Sequence, residues 1–129
     1  MPLKSQLHVM VVDDMTVSRA LIEQALDWAK IPNVQYEADG RSAFQKLAVS
    51  PVHLVISDYN MPGMDGLALL EALRGNKSTQ RVGFILITGT ASRETIARGQ
   101  KAGMNNFIAK PFTKEQLLSC IEKVTGKLT

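Results

Sequence analysis

Cysteine occurs once in these 129 residues, at Cys120, so an internal disulfide is excluded and the fold must rest on packing alone. Lys and Arg outnumber Asp and Glu by only 15 to 12, which falls short of the dense basic surface of a dedicated nucleic-acid binder. No apolar stretch approaches the roughly 18 residues of a membrane span. The apolar run nearest the start, Leu7 to Val12, ends in two aspartates where a secretory signal would carry a small-residue cleavage site. Linkers, low-complexity tracts and long repeats are missing as well. The length leaves no room for an attached DNA-binding or catalytic module, and 45% hydrophobic residues suffice for a buried core. The expectation is a single domain over residues 1–129 that is soluble, cytoplasmic and bound to neither membrane nor nucleic acid.

What is present is an alternation of strand and helix patterns. Leu7 to Val12 reads as a strand buried on both faces, and Thr16 to Ala29 as a helix with Val17, Ala20, Leu21, Ala25 and Trp28 at helical spacings before Pro32. Val34 to Tyr36 alternates like a strand, Asp39-Gly40 marks a turn, and Ala43, Phe44, Leu47 and Ala48 form a short amphipathic helix closed by Pro51. Val52 to Ser57 reads as a third strand ending at Asp58, followed by a helix with Leu67, Leu70 and Leu73 that stops at Gly75. Phe84 to Ile87 is a fourth strand, and Ser92 to Ala102 a helix stopped by Gly103. Phe107 to Ala109 is the last strand; a final helix follows, opened by a capping box at Thr113 and Gln116 and carrying Leu117, Leu118, Cys120, Ile121 and Val124 inward. Strand and helix alternating with short connections argues for an α/β fold, a parallel sheet covered by helices on both faces, whose functional crevice lies beyond the carboxyl ends of the strands.

Those ends carry Asp13-Asp14, Asp58, Thr88 and Lys110. Like unit charges about 4 Å apart repel by roughly 4 kcal/mol at an effective dielectric near 20, so three clustered carboxylates need a counter-charge. A hard divalent cation suits them: Mg²⁺, with Mn²⁺ as a substitute, whereas zinc would want Cys or His, and neither His8 nor His53 falls at a strand end. A cation beside a carboxylate that also faces a lysine and a hydroxyl suits phosphoryl transfer. Asp58, at the end of the central strand, is the nucleophile candidate, with Asp13 and Asp14 left to hold the metal and Lys110 to pair with phosphoryl oxygens. Taken singly these residues read as caps, loop punctuation, a surface lysine and a strand former. Their joint placement at four strand ends is what points to a site.

The chain resembles the receiver domains of two-component response regulators, closest to the single-domain chemotaxis type, over essentially its whole length. The resemblance rests on Asp13-Asp14, on Asp58-Tyr59-Asn60-Met61-Pro62-Gly63-Met64-Asp65-Gly66, on Thr88-Gly89 and on Lys110-Pro111-Phe112. It implies a flavodoxin-like sheet of five strands in the order 2-1-3-4-5 with five helices on its two faces. It implies Asp58 as acceptor of a phosphoryl group from a histidine kinase's phosphohistidine, self-catalysed and without enzymatic turnover. Mg²⁺ would be held by the carboxylates of Asp14 and Asp58 and the backbone carbonyl of Asn60, with Asp13 acting through a water. Thr88 would bond a phosphoryl oxygen, Lys110 would pair with the group, and a cis Lys110-Pro111 bond would aim the lysine. Thr88 and Phe107 would act as switch residues, turning the fourth helix, fifth strand and fifth helix toward an output target, a flagellar motor or a sensor complex. A monomer is expected.

Departures from the pattern sharpen these expectations. Phe107 stands where the best-known chemotaxis members have tyrosine, leaving ring burial as the means of switching. Asn60 and Thr90 flank the path of attacking water and are expected to tune the lifetime of the phosphoryl group, and Gly89 leaves the site open to small donors. Residues 1 to 88 hold eight cations and nine anions, residues 89 to 129 seven and three. That split suggests that Arg93, Arg98, Lys101, Lys114 and Lys123, with Phe107, meet an acidic partner, although a plainly solvated surface would look the same. Two other functions share parts of this chemistry. A phosphate sink or relay shuttle would need no output target, and an aspartate phosphatase would need a second acid two residues beyond Asp58, where Asn60 stands.

Overall fold

The computed structural model describes residues 3–129, and in it every strand expected from the sequence joins one sheet. The strands are β1 (His8–Val12), β2 (Asn33–Glu37), β3 (Leu54–Asp58), β4 (Gly83–Thr88) and β5 (Asn106–Ala109). All pair in parallel, in the order β2-β1-β3-β4-β5. The helices are α1 (Thr16–Trp28), α2 (Gly40–Val49), α3 (Gly66–Arg74), α4 (Arg93–Ala102) and α5 (Lys114–Thr125), and a 3-10 turn at Lys4–Gln6 precedes β1. Among the described residues no helix is long and apolar enough to cross a membrane.

Alternation along the strands divides the core into two layers. Val9, Val11, Leu54, Ile56, Ile85 and Ile87 face one way and pack with Ile22 and Leu26 of α1 and Leu117 and Ile121 of α5. Met10, Val12, Val55, Phe84 and Leu86 face the other way, onto Ala43 and Leu47 of α2 and Leu67, Leu70 and Leu73 of α3. β3 lies at the centre with all five of its residues buried, so its last residue, Asp58, is carried into the middle of the sheet's carboxyl edge.

Local chemistry sets the helix ends. Asp39, read from sequence as part of a turn, is the N-cap of α2, its Oδ1 accepting the Ser42 N–H at 2.7 Å. Asp65 and Ser92 cap α3 and α4 in the same way, and Thr113 and Gln116 form the full capping box of α5. Gly103 ends α4 in the left-handed region, at φ 98°, where a side chain would be strained. At the open edge of the sheet the Phe107 N–H is taken by Asn106 Oδ1 at 2.9 Å, and the Asn106 amide reaches the Cys120 carbonyl. Cys120 is buried, as its helical position suggested.

Val17, Leu21 and Trp28, although at helical spacings, do not lie on the buried side of α1: they are 72%, 58% and 42% exposed. The helix carries two apolar stripes, and the sheet covers the one made by Ile22, Ala25, Leu26 and the following Ala29. Strand limits moved by one or two residues, most at β3, where Val52 is buried but precedes the ladder.

Candidate functional site

Asp13 follows β1 and continues its pairing, the N–H donating to the Glu37 carbonyl at 3.0 Å. Its side chain is fully buried, while Asp14, one residue on, is exposed. Across the sheet Asp58 is held between neighbours: it pairs in register with Ile87, and the next N–H, of Tyr59, donates to the Ile87 carbonyl at 2.8 Å. The return of the chain into α3 requires glycine, because a Cβ on Gly66 would lie 2.5 Å from the Asp58 carbonyl oxygen. Asp13, Asp14 and Asp58 thereby each offer a carboxylate oxygen within 4.8 Å of the others.

Lys110 arrives from the end of β5. Its N–H donates to the Thr88 carbonyl at 2.9 Å, the Lys110-Pro111 bond is cis, and Nζ lies 3.0 Å from Asp58 Oδ1. Burial is the largest influence on the Asp58 carboxyl and raises its pKa; the hydrogen bond and charge of Lys110 oppose this, and Asp13 and Asp14 add a further rise. One lysine does not balance three carboxylates.

The donor set fits a hard divalent cation. It is built from oxygens alone, and Asp13 shows the need most directly: Oδ1 accepts the Met15 N–H at 2.9 Å, whereas Oδ2 is buried with no hydrogen-bond partner. The histidines are elsewhere. His8 opens β1 at the opposite end of the strand, and its N–H donates to His53 Nδ1 at 3.0 Å.

Around this cluster the remaining expected residues take distinct places. Thr88 is buried, and its hydroxyl is engaged with its own loop, donating to the Thr90 carbonyl at 3.0 Å and accepting the Thr90 N–H at 3.1 Å. Asn60 and Thr90 are exposed, and a Cβ on Gly89 would meet nothing within 4 Å, so the mouth of the site is open. Phe107 is half-buried against the same core layer as Tyr59, Met64, Ala102 and Met104. Arg93, Arg98 and Lys101 project from α4, and Arg98 Nη1 reaches the Tyr59 hydroxyl at 3.3 Å. Lys123 shares with Phe107 and Cys120 a groove between β5 and α5. Lys114 stands apart from these, its Nζ 5.0 Å from the centre of the Trp28 ring on α1.

Two features beside the site had no counterpart in the sequence reading. Leu21 and Trp28 line a groove with Pro111 and Phe112 that opens next to Lys110. Arg19, one turn into α1, donates from Nη1 to the Asp13 carbonyl at 2.7 Å. Neither has a sequence signature: the groove depends on how α1 and the β5–α5 connection meet, and the Arg19 bond on the path of the β1–α1 connection.

Residues 9–122 match the family model for the response regulator receiver domain. The chain is 38% identical to a probable chemotaxis protein CheY of Rhizobium etli over 128 residues, covering 99% of each protein. It is 32% identical to chemotaxis protein CheY-3 of Vibrio cholerae over 98% of this chain and 97% of that one. Among solved structures, chemotaxis protein CheY4 of Vibrio cholerae superposes with a TM-score of 0.86 at 30% identity, over 93% of this chain and 99% of its own. The receiver domain of a Pseudomonas aeruginosa sensor histidine kinase, described with a magnesium ion coordinated in its active-site cleft, superposes with a TM-score of 0.85 at 25% identity, over 95% and 100% of the two chains.

Proposed function

Because the chain belongs to the response regulator receiver domain family, we propose that it is a chemotaxis response regulator working as a single domain, switched by transfer of a phosphoryl group to Asp58. The observation that carries this is the Asp58 carboxylate, 3.0 Å from Lys110 Nζ and within one cluster with Asp13 and Asp14. In the reaction an Asp58 oxygen attacks the phosphorus of a phosphohistidine on a histidine kinase. The new O–P bond forms as the P–N bond breaks, and the imidazole leaves with the electron pair and takes up a proton. Asp13, Asp14, Asp58 and the Asn60 carbonyl would hold Mg²⁺, which when bound would neutralise charge on the carboxylates and on the phosphoryl oxygens. Lys110 pairs with a phosphoryl oxygen. Water later attacks along the path flanked by Asn60 and Thr90.

The output follows from Thr88. Its hydroxyl now bonds the Thr90 backbone, and an acceptor of higher charge on Asp58 competes for it. Drawing Thr88 inward frees the space into which Phe107 turns, so phosphorylation shifts the population of the α4, β5 and α5 face. Arg93, Arg98, Lys101 and Lys123 give that face a positive rim for an acidic output partner, and Lys114 extends it toward α1. The deciding experiment is incubation with a small phosphodonor and Mg²⁺ followed by intact-mass measurement. Wild type gains one phosphoryl group and Asp58→Asn gains none; equal gain by both, or none by wild type, refutes the assignment.

A further inference from the structure

We propose that Arg19 is a positioning residue for the divalent-cation site, acting through the Asp13 peptide. The inference rests on the reading of Asp13, Asp14 and Asp58 as cation ligands and adds a residue to it. Asp13 is held at three points. Its N–H donates to the Glu37 carbonyl, its Oδ1 accepts the Met15 N–H, and its carbonyl oxygen accepts Arg19 Nη1 at 2.7 Å. The first two contacts orient Asp13 itself. The third acts on the peptide plane that joins Asp13 to Asp14, because that plane contains the Asp13 carbonyl and leads to the Asp14 Cα. Arg19 is in turn anchored by the helix, its N–H donating to the Met15 carbonyl at 2.9 Å.

The outcome of this bracing is the buried, unpartnered Oδ2 of Asp13, with Asp14 beside it. Fixing ligands before the ion arrives is where outer contacts affect metal affinity, and losing one typically costs 10–100-fold. Arg19 makes no ion pair with any carboxylate among the described residues, so its charge is not spent on neutralising a neighbour. A positive charge this close to a cation site by itself disfavours the ion. Positioning and charge therefore push affinity in opposite directions when Arg19 is removed, and the sign separates them.

The test is Mn²⁺ binding followed by electron paramagnetic resonance of the free ion, with Mg²⁺ measured by competition. Arg19→Met, which keeps the length and loses donor and charge, is expected to weaken Mn²⁺ binding about tenfold, at the low end of the range for such contacts. Arg19→Lys keeps the charge and one donor, and is expected to fall between wild type and Arg19→Met. Affinity that is unchanged or tighter in Arg19→Met overturns the proposal, as does Arg19→Lys matching Arg19→Met. If Arg19→Met does not fold, Arg19→Lys is compared with wild type alone, and undiminished affinity overturns the proposal. Failure of wild type to bind Mn²⁺, or binding unaffected by Asp13→Asn, defeats the cation-site reading itself and Arg19 with it.

Discussion

Lys110 Nζ and Asp58 Oδ1 meet at 3.0 Å across the carboxyl edge of the sheet, bringing the ends of β3 and β5 together over β4. Among the described residues the contact is the one direct ion pair in the carboxylate cluster, and it lowers a pKa that burial and two neighbouring acids raise. Replacing Lys110 with alanine is therefore expected to move the Asp58 carboxyl still higher and to slow phosphorylation from a small donor by about 100-fold, since a preorganised charge contact to the reacting group is removed. Carboxylate carbon NMR across a pH series reads the first effect, and intact mass against time reads the second.

Asp58 also makes stability depend on pH. Its folded pKa lies above the unfolded value of 3.8, so the native state holds this proton more tightly. The contribution is fully present below 3.8 and is lost as pH rises through the folded pKa. At neutral pH the ionised carboxylate then disfavours the fold, and Asp58→Asn is expected to melt at a higher temperature than wild type. Adding Mg²⁺ should raise the wild-type melting temperature more than that of Asp58→Asn. Thermal unfolding at pH 7 with and without the ion checks both.

Gly66→Ala would place a Cβ 2.5 Å from the Asp58 carbonyl oxygen and 2.9 Å from Leu86 Cδ1. The backbone oxygen cannot move aside without shifting Asp58. A loss of about 1–3 kcal/mol in urea unfolding, the range for overpacking, is expected, together with slower phosphorylation of the folded fraction.

Cys120 is buried in the core layer of α1 and α5, its thiol directed at the Phe107 carbonyl, and burial pushes its pKa from 9.0 to about 11. At pH 8 the thiolate fraction is then about 100-fold below that of an ordinary thiol. Alkylation of native protein by iodoacetamide should be slower by at least that factor than alkylation in denaturant, and intact mass against time measures it.

How much of this was legible beforehand depended on the kind of interaction. The five strands and helices announce themselves because each carries its own period and its own stop, and the strand-end residues follow once the sheet is parallel. The Thr113–Gln116 capping box is a contact three residues apart and could be read directly. Val17, Leu21 and Trp28 could not be placed, because α1 has a second apolar stripe and only the tertiary fold decides which one is covered. The same holds for Lys114 over Trp28, which joins two helices distant in sequence. Arg19 is only six residues from Asp13, but its bond runs from side chain to backbone across a connection whose path no pattern specifies.

The side chain of Asn106 accepts the Phe107 N–H on the strand that closes one side of the sheet. A backbone group so occupied is a poor template for a foreign strand. β5 can thus form the open edge of the sheet without inviting cross-β growth. Association along that edge is left to side chains, which are the part that the proposed phosphorylation would rearrange.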